Sequence, residues 1–242
     1  MAEEMNETER YYREAINDPY KCMETVKKAP WSIRYAKEQT LELCMEAVQN
    51  DGEVLAYVKE QTPEICMAAV KNSGWALEYV KEQTPDICMA AINSNGLALQ
   101  YVKEQTPDIC MAAVKNSGWA LEYVKEQTPE ICMAAVQENF RAIRFVKEQT
   151  PEVCMTAVNE SAKALQYIEH QTPEMFIAAM KHDSRAVNYI SEECAKSLIN
   201  NVEKRISNGQ AVKPEEYYAY QNLTAELEPI NSEVDMNEDF EM

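Results

Sequence analysis

Threonine stands at positions 40, 62, 84, 106, 128, 150 and 172, each 22 residues beyond the last. A fixed period of this length confines the chain to an array of small supersecondary units, because one such unit cannot bury its own apolar face without neighbours of the same kind. The register extends backward to Asp18-Pro19 and forward to Cys194, after which one more helix fits. Eight units of 22 residues therefore fill residues 18–193.

The clearest copy, Thr62 to Gln83, contains two helix starts. Thr62 is a cap, Pro63 suits the first helical position, and Glu64 sits where the helix dipole favours an anion. This helix is expected to end near Asn72. Ser73 is expected to cap a second helix reaching about Glu82, with Gly74 relieving the turn between the two. Ile65, Cys66, Ala69 and Val70 form one apolar face of the first helix, and Ala76, Leu77 and Val80 one face of the second. Helices of about eight to ten residues do not persist alone in water, so stacking must hold them. A single lipid-bound helix per unit would need about 18 uninterrupted residues. The breaks at Asp51-Gly52, Ser73-Gly74, Asn95-Gly96 and Ser117-Gly118 interrupt each unit, so a paired-helix unit fits better. With only five glycines and four phenylalanines, and valine and isoleucine at helical spacing, a β-rich fold is disfavoured too. The expected fold is all-α: an α-solenoid of eight helix-turn-helix repeats closed by a C-terminal capping helix.

The runs Ala76-Leu77-Glu78-Tyr79 and 120–123, with Ile65-Cys66-Met67-Ala68-Ala69-Val70 and 131–136, resemble the DUF4116 repeats, a family of α-helical repeats from giant viruses and some bacteria. The resemblance covers roughly residues 18–193. It implies a helical-repeat fold and brings no activity with it.

Outside the array, residues 1–17 form an acidic N-terminal segment or cap, and 194–206 a closing helix with Leu198 and Val202 in core slots. Residues 207–227 are expected to be a linker through Asn208-Gly209 and a short helix opened by Pro214, carrying Tyr217, Tyr218 and Tyr220. Residues 228–242 have the composition of a disordered acidic tail.

The net charge of −18 lies largely in the ends. Residues 1–17 hold two basic and five acidic side chains, and 206–242 one basic and nine acidic, leaving 20 basic and 27 acidic for 18–205. Such a chain is not expected to bind nucleic acid directly, since that affinity comes from neutralising phosphates. No apolar segment is long enough to span a membrane, and Met1 to Asn17 lacks the pattern of a signal peptide. A soluble cytoplasmic protein is expected.

Seven cysteines, at 22, 44, 66, 88, 110, 132 and 154, share one repeat position, which Phe176 fills in the last copy. Stacked helices lie about 8–10 Å apart, beyond the roughly 7 Å that a disulfide tolerates. The cysteines are therefore read as reduced core residues of a reducing compartment. With no CxxC and only His170 and His182, no metal site is implied, and no cofactor either. The glutamines at 39, 61, 83, 105, 127, 149 and 171 are expected to satisfy helix-end backbone groups, and Lys59-Glu60 and its equivalents to form a solvated, charge-balanced rim.

The informative positions are those that change. The second residue of each second helix reads Trp31, Glu53, Trp75, Leu97, Trp119, Arg141, Lys163, Arg185. Three residues on stand Arg34, Ala56, Glu78, Gln100, Glu122, Arg144, Gln166 and Asn188, followed by an aromatic row at 35, 57, 79, 101, 123, 145, 167 and 189. Residues at i, i+3 and i+4 share a helix surface, and Trp, Tyr and Arg are the types that anchor interfaces. The expected partner-binding set is Trp75, Tyr79, Leu97, Tyr101, Trp119, Tyr123, Arg141, Arg144, Lys163 and Arg185. The competing expectation is that the tyrosines pack between repeats and the tryptophans cover them. Nothing in the sequence forms a nucleophile–base pair, a carboxylate dyad or a phosphate loop, so a non-catalytic scaffold for a protein partner is expected. The alternative is an acidic inhibitor of viral or phage type that mimics nucleic acid.

Overall fold

The computed structural model describes residues 7–234, with side chains placed through 226. Among the described residues there is no β-strand, and a long and a short helix alternate at the repeat period. The chain is an all-α repeat solenoid. It divides into two units, residues 1–126 and 127–242.

The first unit opens with a helix, Glu7–Ala15, and holds five long–short pairs, whose long helices are Cys22–Lys28, Leu41–Asn50, Pro63–Asn72, Pro85–Ser94 and Pro107–Asn116. The second unit holds three pairs, with long helices Pro129–Glu138, Pro151–Glu160 and Pro173–His182, then the helices Glu192–Ser207 and Pro214–Val234. Each threonine caps as its position dictates: Thr62 Oγ1 accepts from Ile65 N at 3.3 Å, and Thr84 from Ile87 N at the same distance. Such a cap contributes about 1 kcal/mol. The first copy departs from the pattern. Its long helix starts at Cys22 rather than beside Pro19, after a turn in which Asp18 Oδ1 accepts from Tyr20 N at 2.9 Å.

The second helix of each repeat differs from expectation. It is a six-residue 3₁₀ helix, Gly74–Tyr79 in the clearest copy, and it ends three residues short of Glu82. Val80 is already extended and buried, because the chain must straighten to deliver the next Thr-Pro cap. With three residues per turn, Gly74, Leu77 and Val80 line one edge and all are buried. The cap of this element also differs. Asp51, Asn95, Asn139, Ser161 and Asp183 accept from the backbone N–H two residues on, whereas Ser73 and Ser117 make no side-chain cap bond.

Gly74 does not serve a left-handed turn; among the described residues only Gly209 has a positive φ, of 67°. A methyl group at Gly74 would lie 2.6 Å from the carbonyl oxygen of Ala91 in the following long helix, so close packing of consecutive repeats is what excludes a side chain.

The core is one small set of positions repeated. Ile65, Cys66, Ala69, Val70, Ala76, Leu77 and Val80 are buried, as are their equivalents on either side. Burying one such leucine or isoleucine contributes about 2 kcal/mol, so even a short repeat is held by its neighbours. At the far end of the second unit, Cys194, Leu198 and Val202 of Glu192–Ser207 are buried, and the last helix covers that end with Ala219 and Leu223. This last helix runs to Val234, past the point near Glu228 where a disordered tail was expected. The rest of that tail, from 235, lies outside the described residues.

Candidate interaction surface

What aims the variable side chains is a set of clamps between repeats. Gln61 Nε2 donates to the Tyr79 carbonyl at 3.0 Å, and its Oε1 accepts from Lys81 N at 3.1 Å. Gln83 repeats both bonds with Tyr101 and Lys103, and Gln149 and Gln171 act alike in the second unit. Each amide thus ties the last residue of one repeat to the end of the next repeat's short helix. The lysine row adds a second tie. Lys81 Nζ donates to the Lys59 carbonyl at 2.9 Å, and Lys103 Nζ to the Lys81 carbonyl at 2.9 Å. These lysines are therefore not half of a charge-balanced rim; they satisfy main-chain carbonyls of the preceding repeat. A third tie joins Gly52 N to Asn72 Oδ1 at 2.8 Å and Gly96 N to Asn116 Oδ1 at 2.7 Å.

With both ends held, each short helix presents its second and fifth residues outward, one turn apart. In the first unit these are Glu53 and Ala56, Trp75 and Glu78, Leu97 and Gln100, Trp119 and Glu122. Between 53 and 122 they include three carboxylates and no cation. Trp75, Leu97 and Trp119 are half-buried, as are Tyr79, Tyr101 and Tyr123, while Tyr57 is the exposed member of the tyrosine row. Winding at three residues per turn sets Trp75 above Glu78 on the short helix. Trp75 meets the tyrosine of the next repeat, Tyr101, edge to face at 6.1 Å and 82°. The aromatic strip is thus partly an inter-repeat contact, as the competing expectation for the tyrosines held.

The second unit carries the cations. Arg141, Arg144, Lys163 and Arg185 are all exposed. Arg141 lies over the Phe140 ring at 4.7 Å, and Arg144 over Tyr167, one repeat on, at 5.4 Å. Arg185 is different: Nε and Nη2 each donate to the Asp183 carboxylate at 3.0 Å, so it already holds a counter-charge.

A cluster outside the expected set lies at the start of the first unit. Arg34 lies over Trp31, Tyr35 and Tyr57 at 5.4, 4.6 and 5.8 Å, and donates to Glu9 at 3.2 Å. Tyr12 meets Trp31 edge to face at 5.0 Å. The register placed Arg34 in the variable row; the ion pair with Glu9, outside the repeat, had no signal in the period.

All eight cysteines are unpaired thiols, and all but half-buried Cys22 are buried. Burial pushes the thiols of Cys44, Cys66, Cys88, Cys110 and Cys132 up, and those of Cys154 and Cys194 to about 11. Among the described residues no cluster of three or more His, Cys, Asp or Glu side chains is placed to hold a metal ion. No helix there is long and apolar enough to cross a membrane.

Compared with known families, the chain matches the model of a domain of unknown function (DUF4116) at residues 40–84, 62–106, 84–128 and 106–150, in steps of one repeat. No curated protein and no solved structure matches it.

Proposed function

We propose that this array of DUF4116-like repeats is a non-catalytic scaffold that binds a protein partner through the outward residues of its short helices. One observation carries the reading. The core, caps and glutamine clamps recur from copy to copy, while the two outward positions of each short helix change between Trp, Leu, Ala, Glu, Gln, Asn, Arg and Lys. Stacking does not dictate side chains at a slot that accepts both Glu53 and Lys163. The burial of seven of the eight thiols, which removes most of the chain's strongest nucleophiles from reach, fits a binding role better than a catalytic one. A mimic of nucleic acid would draw on the net charge of −18, but Arg141, Arg144 and Lys163 put cations on the second unit's strip. A reducing cytoplasmic setting fits free thiols in this number.

The test pairs capture with stability. The tagged chain is used to isolate a partner from its source cells, and the purified partner is then titrated against two double variants, Trp75→Ala with Trp119→Ala and Arg141→Glu with Arg144→Glu. The tryptophan pair should weaken binding by about 2 kcal/mol or more if it includes a hot spot. The arginine pair should chiefly slow association with an acidic partner. Because Trp75 also packs on Tyr101, its removal should cost about 1 kcal/mol in stability, so affinities are compared well below the melting range. Normal binding by both variants would move the interface to the long helices or to the segment after Glu228.

A further inference from the structure

Arg34 shows what one stretch of this surface accommodates. Its guanidinium carbon lies 4.6 Å from the ring centre of Tyr35 and 5.8 Å from that of Tyr57, one repeat on, and Glu9 supplies the carboxylate at 3.2 Å. One repeat further, Tyr35 and Tyr57 become Tyr57 and Tyr79, Trp31 becomes Glu53, and Arg34 becomes Ala56. The pair of rings is kept. Ala56 is exposed and stops at Cβ, where Arg34 extends a guanidinium across two rings. Tyr57 is 41% exposed.

Each of the two short helices that carry these rings also carries an exposed carboxylate, Glu53 beside Tyr57 in sequence register and Glu78 beside Tyr79. Burial raises the Tyr79 phenol, and the charges of Glu78 and then Glu53 raise it further. Ser73 Oγ donates to Glu53 Oε1 at 3.4 Å and helps to hold it. Arg34, one repeat back, is matched by Glu9.

We infer that the stretch formed by Tyr57 and Tyr79, with Glu53 and Glu78, receives an arginine side chain of a partner protein, its guanidinium over the two rings as Arg34 lies over Tyr35 and Tyr57. This deepens the protein-binding reading and rests on it. A planar guanidinium stacks on aromatic faces and pairs with carboxylates in a way a lysine ammonium does not match.

The test titrates the full chain with a labelled glycine–serine peptide carrying arginines, and with a lysine twin of equal charge. The arginine peptide should bind several-fold more tightly than the twin. Tyr57→Ala should weaken it by about ten-fold, the scale of a partly desolvated cation–π contact, and Glu53→Gln with Glu78→Gln by at least as much. Glu60→Gln with Glu82→Gln removes the same charge from the rim and should leave binding unchanged. Ala56→Arg should abolish binding without lowering the melting temperature, since it restores from within the arrangement around Arg34. Equal affinity for the twin, an equal loss in the rim variant, or full binding by the Ala56→Arg chain would each overturn the proposal. If the peptide fails while the Trp75→Ala, Trp119→Ala chain still loses its natural partner, the arginine assignment falls and the scaffold reading stands. If the peptide behaves as expected while that double variant keeps its partner, the tryptophan strip is excluded and the arginine site remains.

Discussion

The side-chain amide of Gln83 donates to the main-chain carbonyl of Tyr101, 18 residues ahead, at 2.9 Å. The same side chain accepts from Lys103 N at 3.0 Å, so one residue satisfies an acceptor and a donor at the end of the next short helix. Cys88 Sγ lies 3.7 Å from the same amide oxygen. Tyr101 is the last residue of its short helix, where carbonyls have no intrahelical donor, and Lys103 lies beyond the helix end.

Gln83→Met is therefore expected to destabilise the first unit out of proportion to its partial exposure. It keeps the shape and removes both bonds, leaving a half-buried carbonyl and N–H unpaired, at about 2 kcal/mol. Gln83→Glu should be worse near neutral pH, since a carboxylate cannot donate to Tyr101 and repels its carbonyl. Urea midpoints of the two variants, compared at pH 7 and at mildly acid pH, check the order. A midpoint unchanged by Gln83→Met would mean that the clamp contributes nothing to stacking.

Ser32 offers the opposite case. Its Oγ is fully buried without a hydrogen-bond partner, at the position where later repeats place Val54, Ala76 and Ala98. Ser32→Ala is expected to stabilise the fold by about 1 kcal/mol, the cost of an unsatisfied buried hydroxyl. A thermal melt checks it, and a lower melting temperature in the variant would show that the hydroxyl is satisfied in solution.

These residues also show what the sequence made legible. Threonine caps, the cysteine column and the glutamine row follow from single-residue chemistry repeated at a period, and the structure places them as read. The winding of the second helix did not follow. Across Gly74–Tyr79, six residues, apolar positions spaced for 3.6 residues per turn and for 3.0 nearly coincide. At the surface, Trp75 meets Tyr101 of the next repeat, a contact between copies that the i+3 and i+4 spacing within one helix does not reveal. The lysine ties were hidden for another reason: Lys81 beside Glu82 has the pattern of an exposed ion pair, and only the stacking brings the Lys59 carbonyl within 2.9 Å of its Nζ.

The thiols make stability depend on pH at the alkaline end. Folded Cys154 and Cys194 titrate near 11 rather than at the ordinary 9.0, and Cys44, Cys66, Cys88, Cys110 and Cys132 shift the same way through burial. As pH rises the unfolded chain loses these protons first, so the contribution is whole below about pH 9 and fades toward pH 11. Urea midpoints should fall over that window, and fall less in a Cys154→Ala variant. At neutral pH a thiol reagent should modify half-buried Cys22 well before the buried seven. Rapid labelling of most thiols in the folded chain would contradict the core assignment.

Gly74→Ala separates close approach from backbone freedom. On propensity alone, alanine in place of glycine within a helix would gain about 1 kcal/mol. Here the added Cβ would lie 2.6 Å from the Ala91 carbonyl and 2.8 Å from Asn95 Cβ, and the first of these is main chain that cannot rotate away. Two repeats would have to part, which is expected to cost about 3 kcal/mol, the upper end for overpacking. Gly209→Ala meets nothing within 4 Å and is strained only through its φ of 67°, so it should cost about 1 kcal/mol. The second unit supplies the control, because Ala162 already occupies the position of Gly74 and is buried. Ala162→Gly removes a packed methyl and loosens the unfolded chain, for a loss of about 1 kcal/mol. Three melting curves decide the matter: a large drop for Gly74→Ala beside small ones for the other two is expected, and equal drops would mean that the first unit's repeats can move apart at little cost.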